Sequence, residues 1–339
     1  MGIEIVPFQV SLLPAAAELL ARRHTRDRAS VSLLPVRFTD PRLALAAVRE
    51  VWNNPHTTGA AAFRDGRLVG YLLGEARFNT LRGRHVWVQL AGHALDAGEQ
   101  PDLYADLYAV AGPVWLRLGA FDHYVLVPAE DAAAQEAWFS LSFGRETVYA
   151  VRSLTEALPE PVAVPGVVIR RGTEADRDAM VDEMSPILRR HMAGPPIWGV
   201  ALPEHAATLR EAFADMLRDA TTHVWLAELA GDAESGRVVG YQTYIPASPA
   251  DDKMTISISE RTVLLEVAAT RPDMRGRGIG RALTAAGLAD AAATGYRMCV
   301  MDWRTTNIEA GRFWPKLGFH RAVYRLVRKV DPRIAWATD

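Results

Sequence analysis

The chain has 339 residues, of which 49% are hydrophobic and 23% charged, a balance typical of soluble globular proteins. Its 38 basic and 40 acidic side chains leave a net charge of -2, which gives no electrostatic reason to expect a nucleic-acid partner. The single cysteine, Cys299, excludes an intrachain disulfide or a multi-cysteine metal site. We expect no membrane span and a cytoplasmic location, because no apolar run approaches about 18 residues and the N-terminus lacks a secretory pattern.

The sequence contains an internal repeat. GRLVGYLLG (66–74) is echoed by GRVVGYQTY (236–244), and WFSLSFG (138–144) is echoed by FWPKLGF (313–319). The tryptophans at 138 and 314 and the phenylalanines at 143 and 319 both differ by 176 positions. Several landmarks at one offset indicate two copies of one fold.

A proline-rich stretch separates the two copies. LTEALPEPVAVPG has three prolines and no helical periodicity, which is typical of an extended linker. The sequence therefore predicts a first domain at 1–153, a linker at 154–166 and a second domain at 167–339.

The second copy alternates strand and helix patterns. Thr173 precedes a segment with acids in its first turn and apolar residues at helical spacing, which indicates a helix start. Strands that are first antiparallel and later alternate with helices predict an α/β fold, with a mixed α+β sheet flanked by helices. The predicted strands are at 167–171, 223–229, 238–245, 261–270, 298–303 and 322–330. Four helices are predicted: one that begins at 174, one at 204–218, one that follows the glycine-rich turn and ends near 293, and one at 308–316.

A glycine-rich turn links the predicted strand at 261–270 to the following helix. It contains three glycines at alternate positions and three neighbouring arginines: Gly276, Gly278, Gly280, Arg275, Arg277 and Arg281. Successive amides at a helix N-terminus form an anion site, and guanidinium groups add charge and forked donors for phosphate oxygens. The segment therefore predicts a diphosphate-binding turn.

Two other phosphate-binding patterns fit less well. A P-loop needs Gly-Lys-Ser/Thr, where this chain has Arg281-Ala282. A dinucleotide fingerprint needs a third glycine where Arg281 stands, although Asp302 lies about twenty residues on, as a ribose-binding acid would. That fingerprint normally opens a domain, so a nicotinamide-dependent oxidoreductase remains only a weak alternative.

The turn and the segment after it resemble one known family. R-x-x-G-x-G after a strand is similar to the pyrophosphate loop of the GNAT superfamily of N-acetyltransferases. NIEAGRFWPKLGF (307–319) looks like that family's N-x-x-A-x-x-F-Y-x-K-L-G-F segment. The resemblance implies two tandem domains, each with a mixed, splayed sheet flanked by helices. It also implies transfer of an acetyl or other acyl group from acyl-CoA to an amine by direct attack, without a metal.

The resemblance assigns cofactor roles to individual residues. The backbone of Ala268, Ala269 and Thr270 would pair with pantetheine, as an added strand pairs with a sheet edge. Asn307 would hydrogen-bond the cofactor near its thioester, or serve only as a helix cap. The helices between 174 and 218, with His191 and Trp198, would cover the acceptor site. The diphosphate would be held by Arg275, Gly276, Arg277, Gly278, Ile279 and Gly280, with Arg281 adding charge.

Amine acylation also requires proton transfers. A typical alkylamine is protonated at pH 7, so a general base is expected, and Glu266 in the apolar strand LLEVAAT is the best candidate. Asp302 and His191 are weaker candidates. Trp314 stands where the family commonly has a tyrosine that protonates the departing thiolate of CoA. An indole cannot donate this proton. Tyr324 or solvent would then supply that proton.

The first copy lacks the cofactor chemistry. Positions 275–280 map at the offset of 176 onto 99–104, which contain two acids and no glycine. We therefore expect a degenerate copy that shapes or stabilises its partner. The acceptor, a small-molecule amine or a peptide, is open, as is a monomer or homodimer. The tryptophan at 314 also leaves open a non-catalytic CoA-binding sensor or structural protein.

Overall fold

A computed structural model of the protein describes residues 2–199, 202, 206–231, 236–247, 258–259 and 261–337. So far as they are described, residues 1–149, 249–259 and 321–339 form one compact unit, and residues 150–248 and 260–320 form a second. Within these described residues, no helix has the length and apolar character needed to cross a membrane.

The first unit is a mixed sheet with helices. Its strands lie in the order β1-β2-β3-β4-β6-β13-β7, and β5 pairs with β3. Residues of β7 from Ala150 onward belong to the second unit. In chain order the elements up to β7 are β1 (Ile3–Pro7), α1 (Leu13–Ser30), α2 (Pro41–Asn53), β2 (Thr57–Arg64), β3 (Arg67–Asn79), β4 (Gly83–Val88), β5 (His93–Leu95), α3 (Leu103–Arg117), β6 (Asp122–Pro128), α4 (Ala132–Ser140) and β7 (Gly144–Ser153).

The second unit follows the same plan. Its strands lie in the order β12-β11-β10-β9-β8. The predicted first helix begins with a capping box, in which Thr173 and Asp176 bond each other's backbone amides, and passes through a π-helical turn at Ala179–Met184. The remaining elements of the second unit are β8 (Val167–Arg171), α5 (Ser185–Ala193), α6 (Ala206–Arg218), β9 (His223–Leu229), β10 (Val238–Pro246), β11 (Thr262–Thr270), α7 (Ile279–Ala293), β12 (Met298–Arg304) and α8 (Ile308–Phe313). The chain then continues with β13 (His320–Lys329) and α9 (Ile334–Ala337), which belong to the first unit from residue 321 onward.

Helices cover both faces of the second unit's sheet. Strands β8 to β11 pair antiparallel, and β11 pairs with β12 in parallel. One apolar cluster joins Met180 and Phe213 to Tyr241 of β10 on the α5–α6 face, and another joins Ile279 and Leu283 of α7 to the opposite face. The predicted mixed sheet flanked by helices is confirmed.

Three elements of the first copy have counterparts in the second copy at a constant sequence offset. Helix α3 and helix α7, strand β6 and strand β12, and strand β7 and strand β13 all begin and end 176 residues apart. The helix caps obey the same offset, since Asp131 accepts from the Ala134 amide and Asn307 accepts from the Ala310 amide. The repeat read from the sequence is therefore a repeat of structure.

The closing strand of the second copy lies in the first unit. Strand β13 pairs antiparallel with β6, from Val323 opposite Pro128 to Lys329 opposite Asp122. Arg325, at its centre, is buried and bonds Glu146, Thr147 and Tyr149 of β7. The first unit is thus completed by a strand that the sequence order assigns to the second copy.

Asp290 fastens α7 to the second sheet. One of its carboxylate oxygens accepts from His223 Nδ1 at 2.6 Å, Arg171 Nη1 at 2.6 Å and Trp225 Nε1 at 3.2 Å. His223 is buried, so loss of this acceptor would leave a donor without water or protein to bond. The carboxylate therefore fixes the helix whose N-terminus forms the candidate site.

We expect Asp290→Ala to lower the free energy of unfolding by about 2–3 kcal/mol, because three donors lose one charged acceptor. Urea denaturation followed by circular dichroism measures the change. Asp215→Ala is the matched control, since this acid forms an exposed pair with Arg218 and its loss should cost under about 0.5 kcal/mol. Equal stability of the two variants would contradict a stabilising role for the hydrogen bonds to Asp290.

Candidate active site

Strands β11 and β12 separate halfway along their length. Their parallel register runs from Thr262 opposite Met298 to Leu265 opposite Met301 and ends there. Residues 267–270 of β11 continue to pair with β10 on the other side. The strands therefore diverge beyond Leu265, and we call the space between them the gap. The splayed sheet implied by the family resemblance is thus present beside the backbone of Ala268–Thr270.

Glu266 occupies the point of divergence. Thr243 pairs with Val267 and Tyr244 pairs with Leu265, so Glu266 is the extra residue of a β-bulge. Its side chain is exposed. The apolar sequence around Glu266 therefore does not make it a buried carboxylate, and its position at a bulge beside the diverging strands is what distinguishes it. Its role as general base stays a prediction.

The strand changes face at Glu266. Tyr244, the partner of Leu265, lies against Gly287 of α7, whereas Val267 packs into the cluster on the α5–α6 face. Across the gap, Trp303 of β12 approaches Gly311 of α8, which places the preceding Asp302 on the opposite face. Asp302 is exposed. Two acidic residues therefore stand at the start of the gap, one on each strand.

The glycine turn has the predicted form. Gly276 and Gly278 have φ of 78° and 88°, and Gly278 is the N-cap of the fifteen-residue α7. A Cβ on Gly276 would meet no atom within 4 Å, and one on Gly278 only Val164 at 3.9 Å. Open space therefore adjoins the first amides and the positive end of the α7 dipole, as a bound diphosphate requires.

The third glycine has a packing role. A Cβ on Gly280 would lie 3.2 Å from the Phe313 ring. Gly280 thus lets α8 approach the first turn of α7, which narrows the space beside the diphosphate turn. Arg277 and Arg281 are exposed on this turn and add positive charge.

Arg275 is held at the mouth of the gap by three neighbours. Its guanidinium lies 3.4 Å from the Thr270 carbonyl oxygen, 3.4 Å from His191 Nδ1 and 3.7 Å from Glu309. Burial, and secondly the charge of Arg275, lower the pKa of His191. Neutral His191 can therefore accept from Arg275 at physiological pH. Sequence reasoning missed Glu309, whose only signal was an acid in the first turn of α8.

Asn307 caps α8. Its Oδ1 accepts from the Ala310 amide at 3.0 Å, so the helix-cap interpretation is confirmed. The cap uses the side-chain oxygen, and a contact between the side-chain amide and the cofactor stays a prediction.

Trp314, at the position of the family's usual tyrosine, and Tyr324, the alternative proton donor, lie in different environments. Trp314 is 5% exposed and packs between Phe313 and Phe319, with ring centroids 4.8 and 5.6 Å away. Tyr324 belongs to the first unit, where it faces Val127 across the strand pair and the Arg145 guanidinium lies 4.4 Å from its ring centre. Trp314 is a core residue, and a proton-donor role for Tyr324 stays a prediction.

The loop after α5 joins the far side of the gap. The Ile197 carbonyl oxygen accepts from Thr306 Oγ1 at 3.1 Å, directly before Asn307. This hydrogen bond links the loop after α5, which is part of the region predicted to cover the acceptor site, to the turn between β12 and α8. No signal in the sequence marked Thr306.

The equivalent space in the first copy is filled by its own side chains. The parallel pairing of β4 with β6 ends at Val88 opposite Val125. Beyond it, buried His93 donates from Nε2 to the Leu126 carbonyl and accepts at Nδ1 from the Tyr104 hydroxyl. The Trp138 ring packs 5.3 Å from that of Tyr104. Imidazole and aromatic rings thus occupy the gap between the strands.

The acids before α3 serve ion pairs. Glu99 accepts twice from Arg64, at 2.8 and 2.7 Å, and Asp96 accepts from Arg67 at 2.8 Å. Ionised acids satisfied by structural arginines do not form an anion site. The first copy therefore lacks both the diphosphate turn and the gap.

Comparison with known proteins agrees with this geometry. Residues 188–319 match the Acetyltransferase (GNAT) family. None of the curated proteins compared is significantly similar to the chain. The antiparallel pairing of β8 to β11 also differs from the parallel sheet of a dinucleotide-binding domain, which argues against a nicotinamide enzyme.

Several solved structures share the fold of both copies. A GCN5-related N-acetyltransferase from Sphaerobacter thermophilus is 15% identical, with a TM-score of 0.59 over 96% of this chain and 95% of that one. A tandem GNAT protein from the clavulanic acid biosynthesis pathway is 15% identical, with a TM-score of 0.50 over 98% and 99%. A GCN5-related glucosamine N-acetyltransferase region of a fungal multi-domain β-N-acetylglucosaminidase is 13% identical, with a TM-score of 0.55 over 96% and 38%.

Proposed function

We infer that this chain, whose residues 188–319 match the Acetyltransferase (GNAT) family, transfers an acyl group from acyl-CoA to the nitrogen of an amine. The observation that carries the proposal is the divergence of β11 and β12 beside the N-terminus of α7. One opening there adjoins both an anion site and a strand edge with main-chain groups to pair.

The residues around the gap fit acyl-CoA. The amides from Gly276 to Gly280 would hold its diphosphate, with positive charge from Arg275, Arg277 and Arg281. The backbone of Ala268–Thr270 would hydrogen-bond the pantetheine amides, and Asn307 would bond the arm near the thioester. Bound there, acyl-CoA supplies the acyl group as a thioester.

The acids at the start of the gap would handle the proton of the acceptor. An alkylammonium ion must lose a proton before its nitrogen can attack, and Glu266 would take it directly or through water. Asp302, on the facing strand, would attract the cation. The thiolate proton would come from solvent or Tyr324, because the buried Trp314 indole has no proton to give at physiological pH.

The first unit would act without a cofactor. Its own gap is packed by His93, Tyr104 and Trp138, and it incorporates strand β13 of the second copy. We propose that it supports the catalytic copy structurally.

Two measurements test the proposal. We expect CoA to raise the thermal unfolding midpoint and NAD to leave it unchanged, with about 2.7 kcal/mol of stabilisation at a hundredfold excess over the dissociation constant. Incubation with acetyl-CoA and a panel of primary amines, followed by thiol titration, should show amine-dependent release of CoA.

The two results separate the alternatives. Stabilisation by CoA with no thiol release from any amine would favour a non-catalytic CoA-binding protein. Stabilisation by NAD and not by CoA would overturn the proposed cofactor.

A further inference from the structure

Trp198 is the most exposed apolar side chain of the second unit's described residues. It is 72% exposed, and its φ of 51° lies in the left-handed region. That conformation costs about 1 kcal/mol or more for a residue with a side chain, and such strain concentrates at functional sites. Packing against the described residues therefore does not explain this exposed indole on a strained backbone.

The loop holds Trp198 firmly in this conformation. The Gly199 amide bonds the Met192 carbonyl at 2.5 Å, and the Trp198 amide bonds the Gly194 carbonyl at 3.3 Å. A Cβ on Gly199 would lie 3.1 Å from the Met192 backbone, so the glycine is needed for the close approach. The preceding Ile197 is tied to Thr306 across the gap. Hydrogen bonds on both sides of Trp198 therefore fix the backbone that carries the indole.

The helix that leads to Trp198 and one acid of the gap, Asp302, belong to the same side of the sheet, and Glu266 lies at the bulge where β11 changes face. Helix α5, which leads into the loop, packs on the face that contains Val267 and Ala269. Asp302 points to this face, because its neighbour Trp303 approaches α8, and α8 packs against α7 through Phe313 and Gly280. An apolar surface and negative charge thus flank the same opening.

We propose that the acceptor is a primary amine with an aromatic or other apolar body, whose ammonium group faces Glu266 and Asp302 and whose body packs on Trp198. This inference rests on the proposed acyltransferase function and specifies its substrate class. Burying a ring against an indole removes apolar surface of both from water, whereas a polyhydroxylated amine gains nothing from that contact. Carboxylates select the cation, and the indole selects what is attached to it.

The test compares matched amines with the full-length protein. Phenylalkylamines with two- and four-carbon linkers are each paired with a methoxyalkylamine of the same linker, and kcat/KM is measured with saturating acetyl-CoA. We expect the better phenylalkylamine to exceed its methoxy partner by about 30-fold, a discrimination within reach of one apolar contact surface. Trp198→Ala should lower kcat/KM at least tenfold for that phenylalkylamine and less than threefold for the methoxyalkylamine.

Trp336→Ala is the matched control. Trp336 is 76% exposed on α9 of the first unit, and its loss should change neither amine's kcat/KM. Circular dichroism and CoA binding confirm that both variants are folded.

Three outcomes would overturn the proposal. Methoxyalkylamines that react as well as phenylalkylamines would exclude the apolar class while leaving the acyltransferase intact. Equal effects of the two tryptophan variants would remove Trp198 from the acceptor site. Absence of thiol release with every amine would defeat the proposed function and this inference together.

Discussion

Lowering the pH from 7.5 to 5 is expected to destabilise the first unit by about 6 kcal/mol or more, because its buried histidines must stay neutral in the folded state and the pKa of three of them is strongly lowered. Burial is the first cause of a lowered pKa at each: about 4 for His24, about 3 for His93 and about 4 for His123. In the unfolded chain these histidines bind protons with a pKa near 6.5. At pH 5 this stabilises the unfolded state relative to the folded state by about 2 kcal/mol per histidine. The loss of stability begins as the pH falls through 6.5 and levels off below about 3, the folded-state pKa of His93.

The hydrogen bonds explain why these rings resist protonation. His93 Nε2 donates to the Leu126 carbonyl and His123 Nε2 donates to the Ala120 carbonyl. Each Nδ1 then accepts from a tyrosine hydroxyl, Tyr104 or Tyr108. The neutral tautomer satisfies every partner, whereas an imidazolium would have to donate at both nitrogens in a desolvated site.

Urea denaturation at pH 7.5 and pH 5, followed by circular dichroism, measures the difference. His123→Gln should reduce the pH difference by about 2 kcal/mol, because one proton-linked group is removed. His320→Gln serves as the control, since His320 is exposed and its replacement should leave the difference unchanged. A pH difference under about 2 kcal/mol in the native protein would contradict neutral burial of the three rings.

Gly278→Val is expected to weaken CoA binding at least about 100-fold, because its side chain would occupy the space over the α7 amides. The protein itself leaves room for the new atoms, since the nearest atom to a Cβ at Gly278 is Val164 Cγ2 at 3.9 Å. The loss would therefore report a blocked ligand rather than a crowded core. Titration calorimetry with CoA measures the affinity.

Gly295→Val controls for backbone strain. Gly295 has φ of 96° against 88° for Gly278, and a Cβ there would meet nothing within 4 Å. Both substitutions place a β-branched residue in a left-handed conformation, at a similar cost in stability. Gly295→Val should bind CoA within threefold of the native protein. If Gly278→Val binds CoA equally well, the diphosphate lies elsewhere.

The sequence identified most of the second copy's elements and the glycine turn before α7. Strand β9 lies at the predicted 223–229, and α7 ends at the predicted 293. Alternating apolar residues and glycine punctuation are local signals, so they fix elements without knowledge of distant contacts. The offset of 176 found in the sequence also relates the cap residues of α4 and α8, since Asp131 and Asn307 each accept from the amide three residues later.

The environment of single side chains was less accessible. Glu266 lies in an apolar strand, yet a bulge one residue long exposes it. A bulge depends on the pairing partner in β10, which a strand's own sequence does not contain. Arg275 likewise acquires His191 and Glu309 as neighbours from residues 84 positions before it and 34 after it.

By itself the sequence determined that two copies of one fold exist, that only the second has a glycine turn suited to a diphosphate, and where most strands and helices begin. The tertiary structure alone decided that β13 completes the first unit, and with it the surroundings of Tyr324. It also decided that His93, Tyr104 and Trp138 fill the first copy's gap. The physical reason is that periodicity and turn chemistry act over a few residues, whereas the choice of a strand's partner and the filling of a gap depend on side chains far apart in sequence.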